Sequence, residues 1–164
     1  MAGKKKASFG GQTLESVIGA LKLVGFVECS AKELNDPRTL IPNSRLLARN
    51  VPYTTVFGTK GRREYFLSSP EWSGELECKF QNSGGSVDEK MVYVTETLKR
   101  TSLDKLALVY GGVYWTKETR GQAIITWLKN EAKALQHTHH KELLVMTLDD
   151  FINWAKKTWR RAAH

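Results

Sequence analysis

The chain has 164 residues, of which 41% are apolar and 26% charged. Those proportions fit one globular unit with its own core and exclude a collagen, a coiled coil or a chain disordered throughout. The 25 basic side chains outnumber the 17 acidic ones, a net charge of +8, which points to a polyanionic partner, because lysine and arginine displace counterions from phosphates.

The excess is uneven: residues 1–63 carry 11 of the basic side chains and only 4 of the acidic ones. No segment reaches the roughly 18 uncharged apolar residues that span a bilayer; the most apolar one, VIGALKLVGFV, is interrupted by Lys22. The basic start MAGKKK runs into polar SFGGQT, where a secretory signal would have an apolar stretch. Cys29 and Cys78 are too few for a disulfide framework or a zinc site. A cytoplasmic protein, not secreted and with no membrane partner, is expected.

In chain order, residues 1–11 read as a flexible basic tail and residues 12–164 as a single domain. Leu14, Val17, Ile18 and Leu21 predict an amphipathic helix over 12–24, stopped by Gly25. Pro37, Pro42 and Asn43 favour a loop within 28–50. VPYTTVF and RREYFLS predict two strands about the turn GTKG. After the turn SSPEWSG, the segment GELECKFQ alternates strictly. Leu76, Cys78 and Phe80 share one face; Glu75, Glu77, Lys79 and Gln81 share the other.

Ser86, with Glu89 three residues on, predicts a capping box heading a helix that buries Val87, Met91, Val94 and Leu98. KLALVYGGV reads as a strand covered on both faces and ended by Gly111-Gly112. A helix over 119–135 with Ile124, Leu128, Ala132 and Leu135 inside, the strand KELLVM, and a last helix capped by Thr147 complete the chain. The last helix shows the stripe Leu148, Phe151, Ile152, Ala155 and Trp159. Three consecutive strands followed by strand–helix alternation predict an α/β fold: a mixed sheet with helices on both faces.

GELECKFQ is the segment richest in chemistry. A solvated edge strand would also alternate in this way. If the preceding strand is its antiparallel neighbour, facing side chains lie about 5 Å apart. Glu64 and Glu77 then pinch one hard cation between oxygens, as Mg²⁺ requires. Lys79, one step along from Glu77, orients water or balances charge on a phosphoryl transition state. Glu71 and Glu75 are the reserve acids. Asn82–Ser86 is a loop that either cradles phosphate or only supplies flexible glycines. His137, His139 and His140 read as a solvated loop lacking a fourth metal ligand. Trp127, Trp154 and Trp159 read as packing residues, and Trp72 and Trp115 as the tryptophans free to touch a ligand.

Glu77-Cys78-Lys79 resembles the (D/E)-x-K of the PD-(D/E)XK nuclease superfamily, the restriction-endonuclease-like fold. Glu64 in RREYFL falls where that family has the aspartate of Pro-Asp. Glu15 resembles the helical glutamate some members add to the metal site, and Gln81 the polar residue two positions past the lysine. The segment ECKFQNSGGSVDEK resembles subgroups from phage and mobile elements. The departures are Arg63 in place of proline and a glutamate in place of aspartate.

The resemblance implies an αβββαβ core flanked by helices and a metal-dependent endodeoxyribonuclease using Mg²⁺ or Mn²⁺. It implies structure-specific or junction-resolving action on DNA, and a homodimer. Its metal ligands would be Glu64, Glu77, Glu15 and the Cys78 carbonyl, with Lys79 and Gln81 completing the catalytic set. Lys60, Arg62, Arg63 and Lys90 would hold DNA. The alternative is a DNA-binding module on the same fold without catalysis; a basic structural protein is the third reading.

Overall fold

The computed structural model describes residues 9–35 and 44–160. Among them, six strands form one mixed sheet: β1 (Val27–Cys29), β2 (Leu46–Thr54), β3 (Lys60–Ser68), β4 (Gly74–Phe80), β5 (Lys105–Gly111) and β6 (Glu142–Thr147). Their spatial order is their chain order. The β2–β3 and β3–β4 pairs are antiparallel; the β1–β2, β4–β5 and β5–β6 pairs are parallel.

Helices α1 (Phe9–Leu23) and α6 (Leu148–Thr158) cover one face, and α3 (Val87–Arg100) and α5 (Thr119–His139) the other. On the first face Val17, Ile18 and Leu21 of α1 and Phe151 and Ala155 of α6 meet Leu47, Leu67, Leu76 and Val109. On the second, Met91, Val94 and Leu98 of α3 and Ile125, Leu128 and Leu135 of α5 meet Leu106, Leu108 and Leu143. Strand β5 lies between two partners and under both layers, which explains its unbroken apolar run. The β4–α3–β5 and β5–α5–β6 crossovers step the same way along the sheet, and a common right hand puts both helices on one face.

The expected mixed α/β sheet and its αβββαβ core are present as α1–β2–β3–β4–α3–β5. The boundaries differ. Helix α1 begins at Phe9 and takes in residues 9–11 of the expected tail; residues 1–8 lie outside the described residues. The stretch 28–50, expected to be loop, contains most of β1, the start of β2 and a short helix α2 (Ala31–Leu34); Pro37, Pro42 and Asn43 lie outside the described residues. Ser30 and Glu33 form a reciprocal capping box that starts α2.

The capping box expected at Ser86 is absent. Its backbone (φ −65°, ψ 3°) is not extended, and its side chain makes no cap bond. Pro52 is tolerated in β2 because β1 pairs only with Leu46–Ala48, so among the described residues β2 has no strand neighbour on that side at Pro52. A short helix α4 (Val113–Lys117) precedes α5, which runs on to His139; His140 ends it in the left-handed conformation (φ 54°). The expected QHTHH loop is therefore largely the last helical turn. Lys141 then donates to the carbonyls of Leu98 (2.8 Å) and Thr101 (2.6 Å), satisfying the end of α3. No helix among the described residues is long and apolar enough to cross a membrane.

Candidate functional site

The site forms where β3 and β4 part. Their ladder pairs Leu67 with Gly74, Phe66 with Glu75 and Tyr65 with Leu76, and ends there. Glu64 and Glu77 are the first residues beyond the last pair. The gap leaves the Cys78 N–H facing a carboxylate, and it donates to Glu64 Oε2 at 3.3 Å. Strand β4 continues against β5 as far as Phe80 and Gly111, so one side of the cleft is fixed by the sheet interior.

Glu64, Glu75, Glu77 and Lys79 line one cleft of about 380 Å³, with Arg62 and Asn50 on its β2–β3 side. Tyr93, Val94 and Thr97 of α3 form its wall. Asn50 has φ 52° and lies opposite Glu64 in the β2–β3 ladder. That left-handed residue breaks the strict alternation, so Val51 packs with Ala48, three positions away.

Two charge pairs form at this cleft. The Lys79 ammonium is paired with Glu77. Arg63 Nε donates to Glu75 Oε2 at 2.9 Å, and its guanidinium lies 4.4 Å from the centre of the Tyr53 ring. Burial raises the Glu64 pKa; the Cys78 N–H and Lys79 oppose the rise, and the Glu77 charge adds to it. Glu75, only 6% exposed, is pushed up to about 7, first by burial and then by Glu77, against Arg63. Tyr53 is pushed up to about 12 by burial and by its hydrogen bond with Tyr93.

A raised carboxyl pKa means that the folded chain holds this proton more tightly than the unfolded chain. Stability from Glu75 is therefore largest below its ordinary value of 4.5 and is lost as pH rises toward 7. Compared with Glu75→Gln, the wild type should lose an additional roughly 1–3 kcal/mol of stability between pH 4.5 and pH 8. Urea unfolding of both proteins in EDTA measures the difference. Parallel pH profiles would contradict the assignment.

The alternating face of GELECKFQ is thus not a solvated edge: β4 sits between β3 and β5. Of the expected site residues, Glu64, Glu77 and Lys79 come together. Arg62 joins them at the rim, and Lys60 lies two residues before it on the exposed part of the hairpin. Glu15 does not join them. It lines a separate groove with Lys22, Arg49 and Tyr65, because α1 covers the opposite face from α3. Gln81 lies past the end of β4, and its backbone is tied to Gly111 and Tyr114. Arg63 is consumed by Glu75 and Tyr53, so it is not a free DNA contact. Lys90 is exposed on α3 outside the cleft lining.

Of the reserve acids, Glu71 is held by Arg45 away from the cleft, whereas Glu75 is inside it. Trp72 and Trp115 are buried, 5% and 1% exposed, so neither is free for a ligand; Trp127, expected as a packing residue, is 37% exposed. Tyr53, Tyr93 and Asn50 were not expected in the site. Only alternation past a left-handed Asn50 could have revealed Tyr53, and sequence does not show that conformation; Tyr93 follows from which end of the sheet α3 covers.

The donors suit a small divalent cation. Among the described residues, no three His, Cys, Asp or Glu side chains gather closely enough to hold an ion by themselves. Mg²⁺ does not require three, since it is held by one or two carboxylates and keeps several waters. Glu64 and Glu77 supply hard oxygens beside the Cys78 amide, and the Glu77 charge raises the cost of ionising Glu64, which a cation would relieve.

Comparison with known proteins agrees with the geometry. The family model described as a PD-(D/E)XK nuclease superfamily domain matches residues 6–159. No curated protein matches the chain.

Proposed function

The chain belongs to the PD-(D/E)XK nuclease superfamily, and from that membership we propose that it is a metal-dependent endodeoxyribonuclease whose working groups are Glu64, Glu77 and Lys79. The observation that carries this reading is their meeting in one cleft at the parting of β3 and β4. Glu64 and Glu77 are the carboxylates for Mg²⁺ or Mn²⁺. A divalent ion bound there would polarise the phosphate and generate a nucleophile from water at neutral pH.

The chain's own groups do the rest. Lys79 turns from Glu77 to the scissile phosphate, where its ammonium balances the charge that builds on the phosphate oxygens. Arg62 and Lys60 hold the flanking backbone, placing the phosphate over the two carboxylates. Glu75, neutralised by Arg63, keeps a third full negative charge away from the incoming polyanion. Val94 and Leu106 form apolar wall beside these groups and limit the water that screens them.

Cys78 lies between the two key residues, but its side chain turns to the opposite face, against the α1–α6 core. Burial raises its thiol pKa, so it is not a thiolate nucleophile at neutral pH. Cys78→Ala should keep cleavage within about twofold and cost roughly 1 kcal/mol of stability. Initial rates and thermal melts measure both, and a hundredfold loss of rate in a folded variant would contradict the assignment.

The alternative, a DNA-binding module without catalysis, draws support from the Glu77–Lys79 and Glu75–Arg63 pairs, which balance two of the cleft's carboxylates without an ion. Incubation with supercoiled, linear, single-stranded and four-way-junction DNA, with and without Mg²⁺ or Mn²⁺, separates the two. Metal-dependent internal cutting supports the nuclease. Salt-sensitive binding with all substrates intact selects the module.

A further inference from the structure

An exposed aromatic ring stands beside the cleft with no part in the chemistry above. Phe57 is 78% exposed at the tip of the β2–β3 hairpin. The tip is held tightly. Thr55 N–H donates to the Thr59 carbonyl (2.8 Å), Gly58 N–H donates to the Thr55 carbonyl (2.9 Å), and the hydroxyls of Thr55 and Thr59 meet at 2.8 Å. The Phe57 N–H itself donates to Thr55 Oγ1 at 3.3 Å. Gly58 supplies the φ of 75° that closes the turn. A ring placed in water by so many bonds is presented rather than merely left over.

Phe57 also has a neighbour that connects it to the site. Its ring stacks on Tyr93, centroids 6.2 Å apart and planes within 21°. Tyr93 lines the cleft together with Tyr53. Tyr53 lies under the Arg63 guanidinium, which in turn holds Glu75. A continuous series of flat groups thus runs from the exposed tip to the carboxylates. Lys60 and Arg62, both exposed, supply positive charge along the same hairpin. Flat rings bordered by cations are what an unstacked base and its phosphate require.

The geometry points to Phe57 as a specificity-determining residue that stacks on an unpaired base beside the cleavage position, favouring DNA with single-stranded, gapped or branched segments over continuous duplex. In continuous duplex every base face is covered by its neighbours and offers nothing to the ring. Unpaired bases expose a face, and a protein ring that covers it is sequence-tolerant, since every base has one. The inference rests on the proposal that this cleft handles DNA, and it specifies which DNA.

The test measures binding, which is separable from cutting. Full-length protein in Ca²⁺ is titrated by fluorescence anisotropy with a labelled gapped duplex and with a continuous duplex of the same sequence. The wild type should prefer the gapped DNA. Phe57→Ala should lower the ratio of the two affinities about tenfold, and Phe57→Trp, which keeps a ring, should preserve it. An unchanged ratio in Phe57→Ala, or equal loss for both DNAs, would overturn the inference even if Mg²⁺-dependent cutting is intact. A Phe57-dependent ratio in a protein that cuts nothing would uphold the inference and remove the nuclease instead.

Discussion

Lys79→Ala should reduce Mg²⁺-dependent cleavage by on the order of 10²–10³-fold while the protein stays folded and still binds DNA. The magnitude is that of removing one well-placed donor to developing charge. The fold should tolerate the change because Lys79 is partly exposed within the cleft and contributes no core packing. Its removal leaves Glu77 without its ammonium partner, and Glu77 can turn to water or to the cation. DNA affinity should fall by no more than a few-fold, since Arg62, Lys60 and the remaining basic excess are untouched. Gel-based initial rates beside anisotropy titrations make the separation. A variant that still cuts at wild-type rate, from a preparation free of other nucleases, would remove Lys79 from the mechanism. A variant that loses cutting and binding together would show that Lys79 anchors substrate rather than assisting the reaction.

Trp159→Ala should cost about 3–5 kcal/mol, the range for emptying a buried aromatic site. Trp159 has no exposed surface. Its ring meets Phe26 edge-on at 4.8 Å, Trp154 at 4.8 Å and Trp72 at 6.5 Å. Its indole N–H donates to Ser69 Oγ at 2.9 Å, and the same hydroxyl is bonded to the Trp72 backbone. Its carbonyl accepts from Arg45, which also donates to the Val24 carbonyl and pairs with Glu71. One residue therefore joins the end of α6, the turn after α1 and the β3–β4 connection. For a chain of this size the loss corresponds to a fall of roughly 6–20 °C in Tm. The core that Trp159 completes also supports Leu76, Cys78 and Phe80, whose strand carries Glu75, Glu77 and Lys79 on its other face. Cleavage in Trp159→Ala should thus become heat-sensitive, with near-normal rates in the cold. A Tm within 3 °C of wild type would show that the aromatic cluster repacks and does not secure the sheet.

The parts of the fold legible in sequence were those governed by simple periods. The alternation of GELECKFQ placed Glu75, Glu77 and Lys79 on one face and Leu76, Cys78 and Phe80 on the other, and the structure has both sets so arranged. The unbroken run of β5 announced a strand covered on both sides. Glu15 was misplaced because periodicity states which residues share a face of an element, not which face of the sheet that element covers. That choice follows from the crossovers: α3 and α5 take the cleft side and leave the opposite side to α1 and α6.

Two identical patterns behaved differently. Ser30 and Ser86 each stand three residues before a glutamate, yet only Ser30 forms a capping box. The difference lies in the backbone: Ser30 is extended at ψ 158°, whereas Ser86 has ψ 3° after the turn Asn82–Gly85. The tryptophans were hard to assign for a related reason. Trp72 lies next to a loop in sequence, but Ser69 and Glu142 hold it inside through bonds to residues 3 and 70 positions away. The place of Tyr53 in the cleft was illegible because it lies past Asn50, whose φ of 52° opposite Glu64 the sequence does not show.

The central claim is that Glu64 and Glu77 hold a divalent cation that lets this cleft cut DNA. The most direct measurement is the rate of supercoiled-plasmid cleavage against Mg²⁺ concentration for wild type, Glu64→Gln and Glu77→Gln, each with an EDTA control. Saturable, EDTA-sensitive cutting by the wild type and its loss in both isosteric variants is the predicted result. Cutting that survives EDTA, or that proceeds at the wild-type rate in either variant, would contradict it.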